Sequence, residues 1–219
     1  RMVFRAEKSC RNDSERSRLM EEAGVYTGKW DFVTFFVVPG ATLWLACRED
    51  WLDSNISVIG NSPGMELWLY AWGMFVSSYS FFYIRYLFSL GGYEGIKGRG
   101  FLYTACILLA ISVWIPYDPE HFPKASLLHV IFSFSFPVLL SLSLLSFLKE
   151  KIRSDPNPFL PMLWLFAELA AAALVLWYAS GFITGLLEVY VTTAFCGYLG
   201  LVERILVHNQ RSFPENRGD

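Results

Sequence analysis

The stretch NISVIGNSPGMELWLYAWGMFVSSYSFFYIRYLFSL, Asn55 to Leu90, changes character once. Its first part, Asn55 to Glu66, is polar and punctuated by Gly60, Pro63 and Gly64. The remainder, Leu67 to Leu90, is apolar and carries a single charge, Arg85. An α-helix rises about 1.5 Å per residue, so about 20 residues cover the roughly 30 Å hydrocarbon core of a bilayer. The apolar run is long enough to cross. The polar stretch then becomes a loop at one membrane face, joining this span to the apolar segment before it.

The pattern recurs along the 219 residues, of which 54% are hydrophobic and 17% aromatic, with mean hydropathy +0.36. That composition separates the chain from an ordinary soluble domain of the same length. A net charge of −2 and the lack of a basic stripe on any element exclude nucleic acid as an expected partner. Cys10, Cys47, Cys106 and Cys196 have no metal-ligand spacing, and the last two sit inside apolar runs as small buried hydrophobes. No disulfide framework, metal or other cofactor is expected.

The predicted fold is all-α, an integral membrane six-helix bundle over residues 30–207. A cytoplasmic arm, 1–29, precedes it and a cytoplasmic tail, 208–219, follows. The arm mixes both charge signs and lacks the apolar core of a secretory signal peptide, so it reads as an amphipathic or disordered segment. A start other than Met is the pattern of a chain with sequence upstream. The expected helices are Trp30 to Cys47, kinked at Pro39-Gly40, and Pro63 to Leu90, capped by Ser62. They continue with Gly100 to Ile115, Ala125 to Leu148 with Pro137 inside, Phe159 to Ala179, and Phe182 to Val207. Ser180-Gly181 makes the last two a tight hairpin, and the small residues Ala170 to Ala173 would let a neighbouring helix approach closely.

Orientation follows from the basic residues. Sixteen of the 18 lysines and arginines fall in the arm, the second and fourth connections and the tail. Only Arg48 and Lys124 fall on the first, third and fifth connections. The bias places both termini in the cytoplasm. The polar residues Ser57, Gly60, Asn61, Asp118 and His121 then gather at the other face, with Glu66 near the positive end of its helix.

His129 and Glu188 lie inside predicted spans near that same face. Ionisable groups in a span cost about 2.5 to 3.5 kcal/mol on insertion scales and persist when they face the bundle and find partners. The functional reading pairs Glu188 with His129, with Ser133 one turn below. The structural reading is a satisfied hydrogen bond that fixes helix packing. Asp118, His121 and His129 invite a metal-hydrolase reading, but no HExxH or paired histidines on one turn occur, and a solvated loop explains Asp118 and Glu120 better. Glu168, near the middle of the fifth span, is a lone mid-span acid to be protonated or bonded to a hydroxyl on a neighbouring helix. No series of such residues at successive depths suggests an ion path. Trp30, Trp51, Trp68, Trp114, Tyr117 and Tyr178 read as interfacial anchors. Gly91-Gly92 and Gly95 to Gly100 read as a flexible cytoplasmic turn that sets orientation, with Lys97 and Arg99 able to touch anionic headgroups.

The run Ile56-Ser57-x-x-Gly60-x-x-Pro63, followed by a helix ending in Tyr83-x-Arg85-Tyr86, resembles the first outer loop and second helix of the DRAM family of autophagy modulators. Relatives of that family include the GPI-anchor lipid-remodelling factor PGAP and the yeast SFK protein. The family's histidine at the outer start of helix four matches His129, and its glutamate in the outer part of helix six matches Glu188. The likeness spans residues 30–205. Val130 and Val58 depart from the family pattern, which has an acid after the histidine and Asp or Ser after the loop serine. Pro116-x-Asp118 with His129 is also similar to a bacterial family of six-span proteins.

The resemblance implies a multi-pass protein that binds or modulates membrane lipid through Ser57, Gly60, Asn61, Glu66, Asp118, His129 and Glu188. The expected partners are membrane lipid and a protein docking on the cytoplasmic termini. The expected membrane is a bacterial plasma membrane or a eukaryotic endomembrane such as lysosome or Golgi. Two alternatives stay open. One is a membrane-embedded hydrolase or acyl-transfer enzyme that uses His129 with Asp118 or Glu188, and the other is a structural scaffold.

Overall fold

The computed structural model of the chain describes residues 28–212, and among these no strand occurs. Seven α-helices follow one another: α1 Val38–Ala46, α2 Ile56–Gly60, α3 Glu66–Leu90, α4 Ile96–Ser112, α5 Pro123–Ser154, α6 Pro156–Ser180 and α7 Gly185–Ser212. A π-helical turn, Val33–Val37, runs directly into α1. The expectations for most of the arm and for the end of the tail, including a partner docking there, lie outside the described residues.

The helix boundaries have local causes. Pro39 has no N–H, and its ring opposes the carbonyl four residues back, that of Phe35. Phe35 lies in the π turn, so the backbone widens one turn before the proline. Gly64 takes φ +84°, which prevents a helix from starting at Pro63. Helix α3 starts at Glu66, and Ser62 is not its cap; the Ser62 hydroxyl donates to Glu49 at 3.1 Å.

The glycine segment after α3 is part turn and part helix, α4 starting within it. Gly95 and Gly98 lie against the Tyr93 ring, too close for a Cβ at either position. Arg99 Nη2 donates to the Tyr93 carbonyl at 2.7 Å, and α4 begins at Ile96. Helix α5 continues through Ser154, with Lys151 and Arg153 in its last turn where cations meet the negative end of the dipole. Gly181, at φ +74°, ends α6 in the left-handed conformation expected of the tight hairpin.

The main core lies where α3, α4, α5 and α7 meet, around the fully buried Tyr83, Leu87, Leu102, Phe147 and Leu199. A smaller core, Leu45, Ala46, Ile56, Ile59 and Leu69, holds the short helix α2 against α1 and α3. Gly60 permits this contact, since a Cβ there would come 2.5 Å from Leu69 Cβ.

Helix α6 is different. Its sole buried residue is Phe159, while Trp164, Leu174, Val175 and Tyr178 stand exposed. An apolar helix left bare in this way is one suited to lipid. Among the described residues α5, α6 and the stretch Gly185–Asn209 of α7 are long and apolar enough to cross a membrane, by length and composition. The fold is an all-helical one suited to a membrane.

Candidate functional site

The loop before α2 and the start of α7 hold each other. Gly185 N–H donates to the Ser54 carbonyl at 2.7 Å, and Leu186 N–H donates to the Trp51 carbonyl at 3.0 Å. These are first-turn amides that a helix cannot satisfy internally. Glu188, in the same turn of α7, makes the reverse contact: its Oε2 accepts the Ile56 N–H at 2.7 Å. Asn55 caps α2 by accepting from Val58 N–H at 3.0 Å. The polar loop is therefore fixed to α7 by hydrogen bonds in both directions.

Ser57, one residue on, faces His129 of α5. The distance from Ser57 Oγ to His129 Nε2 is 2.8 Å. On the far side of the ring, His129 Nδ1 lies 2.9 Å from the Ser112 carbonyl and 2.9 Å from the Ile115 carbonyl, at the C-terminal end of α4. A carbonyl oxygen only accepts, so Nδ1 carries the proton. In the neutral ring Nε2 is then the lone-pair nitrogen, and it accepts from the Ser57 hydroxyl. Tyr117 flanks the imidazole, with ring centroids 5.5 Å apart. His129 is 2% exposed.

His129 and Glu188 are thus brought to one place through adjacent residues, Ser57 and Ile56, and no direct hydrogen bond joins them among the described residues. Ser133 donates to the Val130 carbonyl within its own helix at 3.2 Å. Asn61 supports the loop, donating to the Ser57 carbonyl at 2.7 Å. Glu66 lies apart from this group and accepts the Gly64 N–H at 2.9 Å.

Asp118 also lies apart. Its carboxylate accepts the His121 N–H at 3.1 Å and meets His121 Nδ1 at 2.8 Å, and both side chains are exposed. The His121 backbone N–H, with the His121 ring beside it, holds the Asp118 carboxyl below the usual aspartate range. The backbone N–H of Asp118 donates to Ser126 Oγ at 2.8 Å, which ties the loop to α5. Asp118 does not orient His129; the Ser112 carbonyl in the last turn of α4 and the Ile115 carbonyl just beyond it do. Among the described residues no three His, Cys, Asp or Glu side chains gather as a metal site.

Ser57, His129 and Glu188 line a cavity of about 490 Å³. Its other walls are overwhelmingly apolar. Along α5 the lining runs from His129 to Leu142, about 20 Å at 1.5 Å per residue. Phe134, Val138 and Leu142 of α5 and Leu174 and Trp177 of α6 line it and are also exposed, so it opens sideways between these two helices. Ala170 and Ala173 of α6 line it too. Glu168, expected to be protonated or bonded to a neighbouring hydroxyl, is exposed on α6.

A second buried polar group lies toward the opposite end of α7, and sequence reasoning missed it. Tyr83 Oη donates to Glu203 Oε2 at 2.5 Å. Tyr79 donates to Thr34 at 3.0 Å one turn away. Glu203 is 3% exposed although Arg204 follows it in sequence. The Tyr83-x-Arg85-Tyr86 signature was the available signal: it supplies the Tyr83 hydroxyl that this acid needs.

No family model, curated protein or solved structure matches the chain.

Proposed function

We propose that the chain is a six-span membrane protein of DRAM-like type that binds a membrane lipid, its acyl chain in the cavity and its polar end at Ser57, His129 and Glu188. One observation carries the reading: the cavity is long, mostly apolar and open between α5 and α6, with Ser57, His129 and Glu188 at its α2 end. A compact polar solute would find no hydrogen-bond partners on those walls. An acyl chain matches them in shape and polarity. A cavity of this size also falls within the roughly 300 to 1,000 Å³ of small-molecule sites.

The six spans are Val33–Ala46, α3, α4, α5, α6 and α7, with both termini cytoplasmic. The apolar character of Val33–Ala46 supports this count, as does the 25-residue length of α3, whose charges are Glu66 and Arg85 alone. The distribution of lysine and arginine supports the orientation. The exposed Cys47 at the end of α1 offers a reporter. In a Cys10→Ser background on intact cells, a membrane-impermeant maleimide should label Cys47. Labelling only after the membrane is opened would reverse the orientation.

The lipid reading is tested by mass spectrometry of lipid that co-purifies with the chain in mild detergent. Wild type should retain lipid and Glu188→Ala should lose it. Equal lipid content in two folded proteins would count against the site.

A further inference from the structure

The arrangement around His129 is more specific than lipid binding requires. A headgroup site needs polar atoms facing the ligand, whereas here the imidazole is locked from both sides. Two carbonyls at the end of α4 hold the proton on Nδ1, and the free lone pair on Nε2 points at a serine hydroxyl 2.8 Å away. A nucleophile within hydrogen-bond reach of a base, with a third group orienting that base, is the geometry of an activated serine. The carbonyls take the place that a carboxylate holds in a Ser-His-Asp triad. They end a helix, where the dipole favours positive charge, so they face the imidazolium that proton transfer would create.

From this geometry we infer that Ser57 and His129 form a nucleophile–base pair that cleaves an acyl ester whose chain lies in the cavity. The inference rests on the lipid-binding reading above and assigns it a substrate class. Ser57 Oγ attacks the ester carbonyl carbon and forms a C–O bond, while its proton passes to His129 Nε2. Collapse of the tetrahedral intermediate breaks the bond to the alcohol oxygen, which leaves with the proton held on Nε2. The acyl group now sits on Ser57. Water attacks that carbonyl and gives its proton to Nε2; the C–O bond to Ser57 breaks, Oγ recovers the proton, and a fatty acid is released. Two hydrolytic half-reactions sum to ester plus water giving acid plus alcohol, with no oxidation change. Glu188 is a positioning residue in this scheme. It fixes Ile56, and hence the loop that presents Ser57, through the 2.7 Å bond to the Ile56 N–H.

The test uses the full chain in lipid nanodiscs and a fluorophosphonate with a long alkyl tail. Serine attack on phosphorus expels fluoride and leaves a stable adduct that peptide mass spectrometry locates. Wild type should be labelled at Ser57, Ser57→Ala should not, and labelling of His129→Gln should fall at least about 100-fold, the lower range for losing a general base. Co-purified lipid is measured on the same samples. A folded wild-type protein that retains lipid but leaves Ser57 unlabelled overturns the acyl-transfer inference and leaves lipid binding standing. Absence of both lipid and label overturns both. Labelling of Ser57 that is equal in wild type and His129→Gln overturns the role of the histidine.

Discussion

Tyr83 and Glu203 are joined by a 2.5 Å hydrogen bond across 120 positions of sequence, linking α3 to α7 inside the main core. The acid is almost wholly enclosed, so its oxygens depend on protein donors. Tyr83→Phe removes one donor and keeps the ring. It should lower unfolding stability by about 1 to 3 kcal/mol, the usual consequence of stranding a buried acceptor. Glu203→Gln keeps an acceptor oxygen and should lose less. Thermal unfolding in detergent separates the two, and equal midpoints for wild type and Tyr83→Phe would show that the bond contributes nothing.

Glu188 holds the loop at the α2 end by one contact, so charge and hydrogen bonding can be separated there. Glu188→Gln retains a carbonyl oxygen for the Ile56 N–H and should keep α2 in place. Glu188→Ala leaves that N–H without its partner, at a cost of about 1 to 3 kcal/mol. Amide exchange at Ile56 reads the difference directly: protection should fall in Glu188→Ala and persist in Glu188→Gln. Equal loss in both would mean that the negative charge, and not the acceptor, holds the loop.

The helical, apolar character of the chain was legible because apolar runs are a property of sequence alone, and three of the expected spans are long and apolar enough to cross a membrane. So was the gathering of Ser57, His129 and Glu188, since depth along a helix can be counted from its end. Contacts between side chains could not be counted in that way. His129 and Glu188 meet through Ser57 and Ile56, and nothing in their spacing indicates that a backbone amide and a hydroxyl would stand between them. Asp118 fits the solvated-loop reading and not its place in the cluster, because its partner, His121, is three residues away and exposed. Local hydrogen bonding took the carboxylate before any distant histidine could. The start of α3 was misplaced for a similar local reason, the positive φ of Gly64.

The Asp118–His121 loop should respond to acid. The His121 N–H lowers the Asp118 pKa in the folded chain. A lowered carboxyl pKa adds stability above the unfolded value, and that contribution disappears as pH falls through the folded value. The window therefore lies below about pH 4, the ordinary aspartate value. The protection factor of the His121 amide should decline across it. Asp118→Asn keeps an acceptor without the titrating charge and should remove the decline. A wild-type factor that stays level through this window would show that Asp118 does not control the loop.

Ala173 decides whether the cavity is occupied. It sits on α6 at the wall of the cavity, where its small side chain helps leave the space between α6 and α5 open. Ala173→Phe places a ring in that space without touching Ser57, His129 or Glu188. If an acyl chain lies there, the ring should exclude part of it, and the amount of co-purified lipid should fall. Stability should change little, since α6 contributes one buried side chain to the core and the added ring is itself apolar. Lipid mass spectrometry and thermal unfolding on the same preparation make the outcomes distinct. Lost lipid with an unchanged midpoint supports occupancy by a chain. Full lipid content in a stable Ala173→Phe protein would mean that the lipid binds elsewhere on the apolar surface, and the cavity would then need another occupant.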